Sequence, residues 1–94
     1  MGSVMWTKTA REEFADVIKR LASFAPKYAV EVRDRVKKVI LLLERFPNLG
    51  PQAPESNDPS VREKILGQYR IIYRVRPEIV VIYAFVPVGE QVRL

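Results

Sequence analysis

The chain has 94 residues, a formal charge of +5, and neither cysteine nor histidine. At this length one domain with one core is expected, without staples. The missing residue types exclude disulfides, Cys or His metal sites and every Ser-His or Cys-His nucleophile pair, so catalysis would rest on Lys, Arg, Tyr, Asp or Glu, and no cofactor or metal is expected.

The domain is expected over residues 4–94, with 1–3 a tag remnant or a disordered N-terminus. Val4-Met5-Trp6 reads as a first strand. Thr9 followed by Glu12 has capping-box spacing and predicts a helix start. Phe14, Val17, Ile18, Leu21 and Phe24 then recur at helical steps. Pro26 ends that helix and suits the first turn of a second. Tyr28, Val32, Val36, Val39, Ile40, Leu43 and Phe46 give that second helix its stripe, and the short join predicts an antiparallel helical hairpin.

Residues 47–60 hold four prolines and Gly50, which exclude continuous helix or central strand. This loop is expected to be mobile. Beyond it the period falls to two. Val61 to Leu66, Tyr69 to Arg76 and Ile79 to Val86 read as strands, joined by Gly67-Gln68, with glycine first as a type II′ turn requires, and by Pro77-Glu78. The fold class is therefore α+β, in the order β-α-α-β-β-β. The helical hairpin covers one face of a small, mainly antiparallel sheet, and the other face is expected to be partly open.

Alternation turns Tyr69, Ile71, Tyr73 and Val75 toward the helices and Arg70, Ile72, Arg74 and Arg76 away from them. Arg62 and Lys64 share a side of the preceding strand and are expected to meet Arg70 and Arg74 across the hairpin. Val61 to Arg76 carries five basic residues against Glu63 alone. Such a row suits an anionic ligand or an acidic partner. It also suits a solvated face that resists strand-to-strand aggregation. The longest apolar run, Ile79 to Val86, is too short to cross a membrane as a helix, and no signal peptide is read, so a cytoplasmic protein without membrane association is expected.

Trp6-Thr7 before the first helix, Phe46-Pro47-Asn48-Leu49-Gly50 after the second, and above all the run from Val61 to Val75 with its Tyr-Arg-Ile-Ile-Tyr-Arg-Val core resemble the RelE/ParE toxin superfamily. The resemblance extends from Val4 to Phe85 in the family's order. It implies the toxin of a type II toxin–antitoxin (plasmid stabilisation) module, neutralised by a cognate antitoxin. It further implies one of two activities: a ParE-like block of DNA gyrase, or RelE-like cleavage of mRNA on the ribosome, which needs no metal. For a nuclease, Arg70, Arg62 and Lys64 would be the candidate catalytic residues. Arg62, Lys64, Arg70, Arg74, Arg76 and Arg93 are the candidates for binding a target or nucleic acid. The tail from Val86 to Leu94 has Glu90 and Gln91 where the nucleases carry a basic or aromatic residue, and Arg93 can substitute only if the tail folds back. The chain thus lacks an obvious proton-transfer pair. The ParE-like reading is preferred, a non-enzymatic inhibitor, with the nuclease and an inactive antitoxin-binding module as alternatives.

Overall fold

The computed structural model describes residues 2–94, and Met1, the first of the three expected tail residues, lies outside them. Six elements follow in the expected order: β1 Ser3–Trp6, α1 Lys8–Phe24, α2 Pro26–Arg45, β2 Val61–Leu66, β3 Tyr69–Arg76 and β4 Ile79–Pro87. The sheet runs β1-β4-β3-β2, with β1 parallel to β4 and the other two pairings antiparallel. β1 begins at Ser3 rather than Val4. The Gly2 N–H donates to the Glu44 carbonyl (3.2 Å), so Gly2 and Ser3 join the fold.

α1 starts two residues earlier than Thr9. Thr7 is its N-cap, and the Thr7 hydroxyl accepts the Ala10 N–H at 3.1 Å. The third helical residue is then Ala10, which has no carboxylate to return the bond, so the capping box with Glu12 does not form. Ala25 alone separates the helices, and Pro26 opens α2, where its missing N–H costs nothing.

Two apolar layers flank the sheet. The larger faces the helices and contains Val17, Leu21, Val32, Val36, Val39, Leu43, Ile71, Tyr73, Ile82 and Phe85. Within it Trp6, Phe14, Phe85 and Tyr69 form a chain of rings with centroids 5.4, 5.1 and 5.2 Å apart. Each such pair adds about 1 kcal/mol beyond the area it buries. Phe24 and Phe46, the last members of the two helical stripes, lie past the edge of this layer and are exposed.

The second layer lies on the opposite face, built from Ala53, Val61, Ile72, Ala84 and Val86, with Val92 packed against it. That face was expected to be partly open. The segment between α2 and β2 and the C-terminal tail cover its β2 half. The rest of the face stays open as expected, and part of the 47–60 loop is fastened to the sheet. Ala53 N–H donates to Val61 O and Glu63 N–H to Pro51 O, both at 2.9 Å, so 51–53 pair along the outer edge of β2 as a short added strand. Edge N–H and C=O groups left bare invite pairing with another chain, and this segment caps them.

The β3–β4 ladder changes register between Ile72, which faces Ala84, and Tyr73, which faces Ile82. Tyr83 is the extra residue of a bulge, which re-aims side chains on the bulged strand. Its ring lies under the Arg74 guanidinium, 5.7 Å from centroid to Cζ.

Candidate functional site

Arg70 is the buried charge around which the outer layer is built. It is 5% exposed. Three segments converge on its guanidinium. Glu55, from the loop, accepts from both Nη1 (3.0 Å) and Nη2. Glu63, from β2, accepts from Nη1 at 2.9 Å. The Glu90 carbonyl, from the tail, accepts from Nη2 at 2.9 Å. Glu55 also accepts the Val92 N–H at 3.0 Å. The bonds from Arg70 hold the Glu55 carboxyl below its usual value, against the opposing effect of burial. The same bonds raise the Arg70 guanidinium, so the pair stays ionised at any ordinary pH.

Arg62 and Lys64 do not share this face, which corrects the expected grouping. Across the hairpin Arg62 is opposite Tyr73 and Lys64 is opposite Ile71, so both point to the helix side. Opposed residues of an antiparallel pair project the same way. Glu63, opposite Ile72, is the β2 side chain that reaches Arg70. The Arg62 Nη1 donates to the Gly50 carbonyl. The Gly50 N–H in turn donates to the Tyr73 hydroxyl at 2.9 Å. Burial raises the Tyr73 phenol, which is therefore protonated at neutral pH and no base.

Arg74 does lie on the outer face, over Tyr83, with Asp58 Oδ2 3.7 Å from its Nη2. Asp58 is held below its usual value by the Ser60 N–H and hydroxyl. Arg76 and Arg93 are exposed, the first at the end of β3 and the second on the tail, which does fold back. The expected local excess of charge is thus largely met by Glu55, Glu63 and Asp58. Residues 46–94 carry six basic and five acidic side chains, whereas α2 alone carries six basic and three acidic. The uncompensated charge sits on the helices.

There it borders an apolar groove that the strand pattern gave no hint of. Trp6, Phe14, Val36, Ile40 and Leu41 line a cavity of about 630 Å³ between β1 and the two helices, and Arg11, Arg33 and Lys37 stand at its rim. Leu41, outside the core stripe of α2, is the sequence signal for it: an exposed leucine beside the buried face. Among the described residues no cluster of three or more acidic side chains is placed to hold a metal ion. Nor is any described helix long and apolar enough to cross a membrane.

Comparison with characterised proteins gives no match. Among solved structures the chain is similar to a chain of the chromosomal ParDE toxin–antitoxin system of P. aeruginosa, at 22% identity and TM-score 0.75, covering 95% of this chain and 98% of that one. It is similar to a chain of the RelBE2 toxin–antitoxin complex of Mycobacterium tuberculosis at 21% identity and TM-score 0.63, with 92% and 96% covered. It is also similar to the YoeB dimer of Staphylococcus aureus at 17% identity and TM-score 0.56, with 95% and 98% covered. These likenesses establish a shared fold. The family model of the ParE toxin of the parDE type II toxin–antitoxin system matches residues 4–91. That match spans both helices, every strand but for Ser3 at the start of β1, and the tail as far as Gln91, and with it the chain belongs to the ParE toxin family of type II toxin–antitoxin systems.

Proposed function

We propose that this toxin acts by binding, as an inhibitor of DNA gyrase in the cytoplasm, and that a cognate antitoxin neutralises it. The observation that carries this reading is the engagement of Arg70. A sheet-face nuclease needs cationic support for a phosphorane-like transition state and a proton-transfer pair beside it. Here the arginine suited to that support has both terminal nitrogens engaged by Glu55, Glu63 and the Glu90 carbonyl. Arg62 and Lys64 lie on the other side of the sheet, and Tyr73 is buried and protonated. Among the described residues no geometric feature favours mRNA cleavage over inhibition by binding.

For the antitoxin, the groove beside Trp6 has the size and lining to take one face of an amphipathic helix. Its rim of Arg11, Arg33 and Lys37 favours a helix with acidic flanks. The solved relatives from P. aeruginosa and M. tuberculosis are toxin–antitoxin systems, which accords with such a partner.

The decisive experiment adds purified toxin to DNA gyrase, ATP and relaxed plasmid. Expected are loss of supercoiling and accumulation of cleaved plasmid at micromolar toxin, both reversed by the antitoxin. Full supercoiling, together with codon-phased cuts in translated mRNA, would transfer the assignment to the nuclease alternative.

A further inference from the structure

The tail makes its last ladder bond at Val88, whose N–H donates to Gln68 O at 2.8 Å. Gly89 follows with φ +99°, a Cβ there would meet nothing within 4 Å, and the Glu90 N–H closes a turn around it onto the Pro87 carbonyl at 3.1 Å. Only glycine holds that backbone without strain. Beyond this pivot the tail is held by the Glu90 carbonyl on Arg70, the Val92 N–H on Glu55, and the Val92 side chain on the outer apolar layer. Two of the three fastenings therefore run through one ion pair. That pair also ties the loop to β3.

We propose that residues 90–94 form a strap that opens about Gly89, latched by the Arg70–Glu55 pair, and that its release uncovers the outer apolar layer without unfolding the helix-side core. The two layers make this possible. Ile72, Ala84 and Val86 lie under the strap, while Ile71, Tyr73, Ile82 and Phe85 sit on the opposite side of the sheet against the helices. The ladders join β3 to β4 from Tyr69 to Arg76 and to β2 from Tyr69 to Arg74, and none of these pairs includes the strap. Glu55 is the part that decides. An uncharged side chain there leaves Arg70 to Glu63 and gives the Val92 N–H a weaker acceptor. The device is independent of the gyrase reading, because it concerns what the fold can expose rather than what binds it.

Amide hydrogen exchange on the intact toxin tests the proposal, comparing Val92 with Ile71, a β3 amide of the helix-side layer. In the wild type Val92 is expected to be protected, but less than Ile71. Glu55→Gln is expected to lower protection at Val92 at least tenfold while Ile71 changes less than threefold. A second variant, Gly89→Ala, leaves every latch group in place but strains the pivot. It is expected to raise Val92 exchange in the same direction, and lying beyond the last ladder bond at Val88 it spares the fold. Parallel loss at Val92 and Ile71 in either variant would overturn the strap, since tail and core would then open as one unit. So would a Val92 amide that exchanges freely in the wild type.

Discussion

At the residue scale, Gly50 sets the tightest constraint. A Cβ there would lie 1.8 Å from the Glu63 carbonyl oxygen and 3.1 Å from the Tyr73 hydroxyl. Backbone on one side and a buried phenol on the other leave nothing flexible to yield. Gly50→Ala is therefore expected to cost roughly 3 kcal/mol or more, measured by chemical denaturation. Glu55 gives a second expectation, with a defined sign. Its folded carboxyl titrates below the usual 4.5, so the stability it contributes is present above that value and is lost as pH falls through the lower, folded one. An acid titration of Glu55→Gln should run below the wild type at neutral pH and converge with it under acid. Divergence toward low pH would contradict this sign. Neither residue announces its role in the sequence. Gly50 sits among prolines that mark only a loop, and Glu55 meets Arg70 across a long loop, a pairing that no local pattern encodes.

At the element scale, most of the fold was legible. Helical spacing located both helices, because each buries one apolar stripe, and short period-two runs between turn residues located β2, β3 and β4, although β3 and β4 bury side chains on both faces and β2 on neither continuously. The helix start was harder. Thr7 and Thr9 are both competent caps, and Glu12 favours Thr9 by spacing, whereas the Ala10 N–H reaches Thr7. The face occupied by Arg62 and Lys64 is decided by register alone. A two-residue turn at Gly67-Gln68 pairs Leu66 with Tyr69, and that parity sets Arg62 opposite Tyr73. The second turn carries its own strain. Glu78 has φ +62°, a left-handed conformation that costs a residue with a Cβ about 1–2 kcal/mol. Its carbonyl accepts the Ser3 N–H at 3.0 Å, so the strained turn also aligns β1. Glu78→Gly keeps that carbonyl and removes the steric cost. After the extra freedom glycine gives the unfolded chain, it is expected to stabilise by about 0.5–1 kcal/mol, read as a shift in denaturation midpoint at constant slope.

At the scale of the whole molecule, the excess charge and the open apolar groove lie together on the helical side. The sheet's outer face is nearly neutralised by its own carboxylates, while the helices keep the excess and frame the groove beside Trp6. Electrostatic attraction of a partner should then act through Arg33 and Lys37 more than through the strand arginines. Reversing both, as Arg33→Glu with Lys37→Glu, is expected to weaken antitoxin binding at least about tenfold and to flatten its salt dependence. Arg74→Ala and Arg76→Ala should leave both nearly unchanged. Calorimetric titration over a range of salt concentrations distinguishes the two.

The order β1-β4-β3-β2 also bears on how such a chain is made. Ser3 to Trp6 lie beside Ile79 to Ile82, so β1 has no neighbour in the sheet until β4, its last strand, is in place. The helices can form early from local contacts, but the sheet closes only through a pairing that spans almost the whole chain. The helices and the β2-β3-β4 meander can therefore assemble while β1 still waits, and docking of β1 beside β4 is the step that completes the sheet.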